Sequence, residues 1–265
     1  MKLFSITNTG STRPSETASY ERAWISRAAV SHSGSSDDVP LAQTHPGCFI
    51  HVVTAENRNL YEHELEVYFR LRHHVYVKER GWESFRSPTG REVDRYDSPE
   101  TIYLLALEEE IRRLVGGARL VPTIKGPPLA GMKGLSTFSI PRSPFIYHVS
   151  RIITAPDRRE YRGLNLVGAR ILCGVQEYCL AEDIEQLTLL VRTSLLPQYL
   201  ELGWDPQPLG LPTMLWGASL IPIMVDVNEN ALNVTRLKRS IAGSVLVRRG
   251  ITFPAITIRP PGGLN

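Results

Sequence analysis

No apolar run in this sequence approaches the ~20 residues a helix needs to cross a bilayer. The N-terminus lacks the apolar core of a secretory signal. Both absences point to a cytosolic protein. Cysteine is scarce. Cys48, Cys173 and Cys179 are an odd number without metal-ligand spacing, so they read as free thiols in a reducing compartment. There is no Gly-Lys-Ser/Thr phosphate loop, no glycine fingerprint opening a helix after a strand, and no Gly-x-Ser-x-Gly elbow. The nucleotide-binding and hydrolase chemistry tied to those motifs is set aside. His73 and His74 are adjacent, so on a helix they point about 100° apart and read as surface or core-edge residues rather than metal ligands. Charge imbalance is small, at +3, and gives no reason to expect a nucleic-acid partner. Acidic residues are missing after Glu229, while Arg236, Lys238, Arg239, Arg248, Arg249 and Arg259 follow. Such a tail attracts an acidic partner or a phosphate.

At 265 residues the chain suffices for one large domain or two small ones, and its 42% hydrophobic and 22% charged residues are those of an ordinary soluble protein. Residues 1–47 are rich in Ser, Thr and Pro and are expected to be mostly disordered, apart from a short helix over Tyr20–Val30. From residue 48 the pattern gives a strand at Cys48–Thr54, a helix at Tyr61–Arg80, and strands at Ile102–Leu107 and Leu114–Val121 joined by a charged turn. A proline-rich connection over 122–144, with a short helix near Leu129–Leu135, leads to a strand at Phe145–Ile153. Next come a buried helix over Leu164–Ala181, a strand at Leu187–Val191, a helix at Leu195–Gly203 and a strand at Leu220–Val225. Asn228 caps a last helix, and Val245–Val247 and Ile251–Ile258 either pair as a hairpin or stay ragged. This order predicts one three-layer α/β domain over 48–265, its mixed, largely antiparallel sheet carrying helices on both faces.

Charges occupy positions that this pattern reserves for apolar residues. Leu65, Phe69, Arg72 and Tyr76 form one line down the first helix, which puts Arg72 in the middle of its core-facing stripe. Arg119 shares a strand face with Val115, Gly117 and Val121. Beside it, Gly116, Gly117 and Ala118 let a neighbour approach the backbone closely. His148 and Arg151, three apart on a strand, face opposite ways unless a bulge or a splayed sheet brings them together. Asp94 and Asp97 lie three apart in a loop. Each has an ordinary explanation alone: a snorkelling Arg72, turn-forming or capping aspartates, arginines paired across a sheet edge. Together, three arginines in apolar contexts and two nearby acids point to a polar pocket.

These residues also carry a family pattern. Leu71-Arg72-His73-His74-Val75-Tyr76, then Gly81-Trp82, Glu92-x-Asp94-x-x-Asp97, Gly116-Gly117-Ala118-Arg119-Leu120-x-Pro122-Thr123 and Ser150-Arg151 resemble the acyl-homoserine-lactone synthases of LuxI type in order and spacing. The resemblance covers about residues 48–225. It implies a fold related to the GNAT N-acyltransferases and quorum-sensing signal synthesis. In that reaction an acyl chain, carried on acyl carrier protein or coenzyme A (CoA), joins the amine of S-adenosylmethionine, which lactonises and releases methylthioadenosine. It further implies substrate-binding roles for Arg72, Tyr76, Trp82, Asp94, Asp97 and Arg119, a catalytic place for Ser150 and Arg151, and no cofactor beyond the substrates. Thr188 falls where some members carry a threonine associated with 3-oxo acyl chains.

The chemistry of the residues fits. A sulfonium, an ammonium and a carboxylate call for both acids and arginines, and the Tyr76 and Trp82 rings suit the sulfonium. Thioester aminolysis needs a neutral amine and donors for the developing oxyanion, which a splayed strand near 148–151 would supply. The apolar helix from Leu164 and the strand Leu187–Val191 would line an acyl tunnel. One position departs from the family, whose glutamate three residues before the arginine matched by Arg151 is here His148. A neutral histidine is expected to act as the base instead. Two rivals stand beside this reading: an N-acyltransferase with another amine acceptor, and a catalytically silent ligand-binding homologue. Arg158, Arg159, Arg162 and the basic C-terminal run are either docking points for acyl carrier protein or a solvated basic surface.

Overall fold

Alternating and continuous apolar runs become a nine-stranded sheet among the described residues. The computed structural model describes residues 47–126, 128–132, 135, 140–159 and 165–250. The expected extension before Gly47, with its helix over Tyr20–Val30, therefore lies outside the described residues, as do Arg162, Leu164 and the segment Ile251–Ile258. Strands β1 (Cys48–Val53), β2 (Ile102–Glu108) and β3 (Arg113–Pro122) form an antiparallel meander that continues into β4 (Ile146–Thr154). Strand β5 (Gln186–Arg192) then pairs with β4 in parallel. β6 (Gln207–Pro208), β7 (Thr213–Leu215) and β8 (Ala218–Asp226) complete that side, β8 lying against β5. At the other edge, β9 (Leu246–Val247) adds to β1 in parallel, so this part of the C-terminal segment is paired. Its expected partner, Ile251–Ile258, is not among the described residues.

Every residue of β2 and eight consecutive residues of β3 are buried, as strands covered on both faces must be. Helix α1 (Glu62–His73) covers one face and α2 (Leu166–Ala181) the other. The two glycines of β3 explain how closely they approach. A Cβ at Gly117 would lie 2.9 Å from the Tyr68 ring of α1, and one at Gly116 would lie 3.1 Å from Ile171 of α2. The small residues that leave room at the backbone thus admit the two helix layers. Asn165 caps α2 by accepting from the Gly168 N–H, and Asn228 caps α4 (Glu229–Lys238) by accepting from the Ala231 N–H. Helix α3 (Leu196–Glu201) links β5 to the β6–β8 region. The expected short helix near Leu129 is a 3₁₀ turn over Pro128–Gly131.

Two departures from regular geometry set up the cleft. The helix expected through Arg80 is α-helical only to His73, and His74–Glu79 form a π-helical turn. That wider turn accommodates an extra residue and re-aims Tyr76 and Arg80 relative to a straight helix. The second lies in β4. Arg119 pairs with Ser150 and Gly117 with Ile153, so Arg151 and Ile152 together oppose Ala118. Arg151 takes φ +56°, the left-handed conformation of a β-bulge. Beyond Val149 and Leu189 the parallel pairing of β4 with β5 ends, and the two strands separate.

Candidate active site

The buried arginines find their partners in the loop between α1 and β2. Arg72 donates to both oxygens of Asp97 at 2.7 and 2.9 Å, and through Nε to Glu92 at 2.5 Å. Arg119 donates to both oxygens of Asp94 at 2.6 and 3.0 Å, lies 3.1 Å from Asp97, and donates to Ser150 Oγ at 3.2 Å. Arg151 joins Glu92 at 2.7 Å to Asp94 at 2.8 Å. Tyr103 Oη and the Asp94 N–H also donate to Asp97. Three guanidiniums and three carboxylates make a formally neutral network, the condition under which buried charge is tolerated.

The protonation states follow from this pairing. Burial alone would raise the three carboxyl groups. The hydrogen bonds and charges of Arg151 on Glu92, of Arg119 on Asp94 and of Arg72 on Asp97 outweigh it and hold all three below the usual carboxylate range. Burial would likewise depress Arg72 and Arg119, but Asp97, Glu92 and Asp94 keep both firmly charged.

One side of the network opens onto a cleft of about 590 Å³. The side chains of Arg72, Asp97 and Arg119 are at most 1% exposed, whereas those of Arg151 and Asp94 reach 14% and 28%. Glu92, Asp94, Arg119, Ser150 and Arg151 line the cleft, with the rings of Tyr76 and Trp82 and the separated ends of β4 and β5. Arg72 and Asp97, expected to touch substrate, do not line it. They sit one layer behind, where they fix Glu92 and the 94–97 loop. Thr188 is fully buried behind the wall too, and its hydroxyl is 3.0 Å from His148 Nδ1.

The family model for autoinducer synthases matches residues 56–234. The chain is 43% identical over 192 residues to the isovaleryl-homoserine lactone synthase of Bradyrhizobium diazoefficiens, covering 70% of this chain and 83% of the relative. Among solved structures it is similar to BjaI, described as a CoA-dependent acyl-homoserine lactone synthase with S-adenosylmethionine and isopentyl-CoA. The TM-score is 0.72 and the identity 38%, over 78% of this chain and 96% of that one. MesI, another CoA-dependent synthase, gives a TM-score of 0.66 and 33% identity over 74% and 98%. The chain belongs to the autoinducer synthase family. Its activity is that of an acyltransferase, the synthesis of an acyl-homoserine lactone.

Within this synthase fold the bulge and the splay bring His148 and Arg151 to the same cleft, which a regular strand would not do. His148, expected as the base, is held neutral by its surroundings. Burial, then the charges of Arg119 and Arg151, push it down to about 3, so the imidazole is neutral and a weak proton acceptor. The aromatic wall also differs. Tyr76 stacks on Trp82 and on Phe85, and the guanidiniums over the Tyr76 ring are Arg80 and Arg151, at 5.0 and 5.4 Å.

Three residues of the site were not singled out in sequence. Glu92 was visible inside the Glu-x-Asp-x-x-Asp pattern, but nothing local marked it as the bridge between Arg72 and Arg151. Phe85 and Trp216 complete the aromatic wall, Trp216 lying 4.9 Å from Trp82 and 5.3 Å from Phe85. Trp216-Gly217, both at positive φ, form the tight turn between β7 and β8. The aromatic–glycine pair signals a turn but not what the turn touches. Cys48, Cys173 and Cys179 are free and buried, away from the cleft lining. Among the described residues no cluster of His, Cys, Asp or Glu could hold a metal, and no helix is long and apolar enough to cross a membrane.

Proposed function

We propose that this cleft joins a short branched acyl group, delivered as its CoA thioester, to the amine of S-adenosylmethionine, followed by lactonisation and release of methylthioadenosine. One observation carries the reading: a neutral network of three arginines and three carboxylates opens beside the point where β4 and β5 part. The parted strands provide a slot for an extended thioester arm, and β4 beyond Val149 has backbone groups that β5 does not occupy. Its N–H groups can serve a developing oxyanion. Asp94, the most exposed carboxylate of the network, takes the cationic part of S-adenosylmethionine. Arg151 takes its carboxylate or the thioester oxygen. Arg72 and Asp97 are positioning residues, acting through Glu92 and the loop. Leu189, Val191, Leu195, Tyr199, Leu202 and Leu220 line the apolar end and receive the acyl chain.

The amine must lose its proton before it attacks. Burial and then the charges of Arg119 and Arg151 depress His148, and the same two guanidiniums disfavour the charged form of an amine bound beside it. His148 then orients the amine as a neutral hydrogen-bonding partner and does not store its proton.

CoA is favoured over acyl carrier protein because several of the expected docking arginines are balanced by carboxylates among the described residues. Arg158 pairs with Glu108, Arg159 with Glu79, Arg236 with Glu177 and Arg249 with Glu109. The test is methylthioadenosine release from S-adenosylmethionine in the presence of isovaleryl-CoA, straight-chain acyl-CoAs and the corresponding carrier-protein thioesters. The proposal expects fastest release with the branched CoA donor. Faster turnover of a carrier-protein donor would reject the donor assignment, and release with none of them would reject the reaction.

A further inference from the structure

The left-handed turn at Arg151 brings that arginine to the cleft, and a residue outside the cleft holds the turn. A residue with a side chain loses energy at positive φ, and a bulge leaves its extra residue without a ladder partner. Arg151 meets both conditions, at φ +56° and sharing Ala118 with Ile152. Its carbonyl oxygen nevertheless has a donor. Tyr68 Oη of α1 reaches it at 2.7 Å, although one residue belongs to a helix layer and the other to the sheet.

Gly117 makes that reach possible. A Cβ there would lie 2.9 Å from the Tyr68 ring, so the ring passes over β3 at the one point where a side chain is missing. Its other sides are fixed as well. It meets Tyr103 edge-on at 6.1 Å and carries the Arg72 guanidinium at 5.6 Å. Tyr68 is fully buried. Burial, against the opposing charge of Arg72, holds its phenol well above the ordinary value, so the hydroxyl keeps its proton and donates. From the carbonyl so held, the Arg151 side chain turns to Glu92 and Asp94. On a regular strand it would face away from His148.

We propose that Tyr68 is a positioning residue of the acyl transfer, its hydroxyl locking the bulge that carries Arg151 into the cleft. The inference rests on the role given to Arg151 above, and its test separates the two. Tyr68→Phe removes the hydroxyl and keeps the ring. In steady-state methylthioadenosine release by the full chain, it is expected to lower kcat about tenfold, the loss of one buried hydrogen bond. In an Arg151→Lys background the same substitution is expected to change the residual rate by less than about twofold, because the group it positions is gone. An equal loss in both backgrounds, as a purely structural role would give, overturns the proposal, and so does wild-type kcat in Tyr68→Phe. A second readout needs no turnover. The Arg151 Nε–H donates to Glu92 at 3.0 Å, and its NMR signal is identified by its absence in Arg151→Lys. That signal should shift or broaden in Tyr68→Phe while those of Arg72 and Arg119 stay in place; an unmoved Arg151 signal overturns the proposal. Wild-type turnover in Arg151→Lys alone would instead strike the role of Arg151, and the guanidinium signal would still decide for or against Tyr68.

Discussion

Replacing Asp97 with asparagine keeps its shape and takes one negative charge from the centre of the network. Asp97 accepts two hydrogen bonds from Arg72, one from Tyr103 Oη and one from the Asp94 N–H, and lies 3.1 Å from Arg119. Asparagine keeps one acceptor oxygen and turns an amide donor toward a guanidinium that can only donate. Removing one partner of a buried pair costs roughly 3–5 kcal/mol. Glu92 still faces Arg72 and Asp94 still faces Arg119, so the lower end, about 3 kcal/mol, is expected. A domain with ordinary stability of about 5–15 kcal/mol remains folded after that loss. Urea unfolding followed by circular dichroism should therefore show a lower midpoint with an unchanged slope. Methylthioadenosine release should fall by two orders of magnitude or more at saturating substrate, about 2.7 kcal/mol, because the 94–97 loop loses the bond that positions Asp94. An unchanged midpoint together with wild-type turnover would refute the role given to the network.

Arg119→Ala should abolish turnover and leave a folded but less stable protein, read by the same release and unfolding assays; wild-type turnover would remove it from the site. His148 is neutral in the fold and charged in the unfolded chain below about pH 6.5, so its contribution to stability is complete above that pH and is lost as pH falls toward about 3. Between pH 6 and 4.5 the stability of His148→Gln should decline less steeply than that of wild type by about 1.4 kcal/mol per pH unit; parallel curves would place His148 in water. The pH–rate profile of His148→Ala should be lower but keep its acid limb, since that limb belongs to the substrate amine. Loss of the limb would restore His148 as the base. Gly116→Ala would bring a Cβ to 2.6 Å from the Ile153 carbonyl oxygen and 3.1 Å from Ile171, and a thermal melt should show roughly 1–3 kcal/mol of destabilisation, as for overpacking.

How far the sequence could be read depended on whether a residue's signal was local. Arg72 and Arg119 stood out because periodicity assigned their positions to the core, and an arginine there needs a carboxylate. Asp94 and Asp97 were the nearest candidates and are their partners. The antiparallel meander, the cap at Asn228 and the buried α2 follow from patterns within a few residues of each other, whereas Asn165, expected inside the helix from Leu164, caps it instead. His148 and Arg151 posed a contradiction on a regular strand, which the bulge at Arg151 resolves. Depth was less legible. Nothing in the spacing of Arg72, Asp97 and Thr188 tells that they lie behind the wall and not on it, because that depends on where β2, β3 and α1 pack. The π-helical turn leaves the apolar pattern of 61–76 intact and so has no signature in it. Trp216 reaches Trp82 across more than a hundred residues, a contact set only by the β7–β8 turn.

The most direct test of the central claim is product analysis by mass spectrometry, after incubating the full chain with carboxyl-labelled S-adenosylmethionine and isovaleryl-CoA. The account predicts a labelled acyl-homoserine lactone formed one-to-one with methylthioadenosine, and loss of both products in Asp94→Asn. A labelled open-chain amide without methylthioadenosine, or acylation of a different amine, would contradict it.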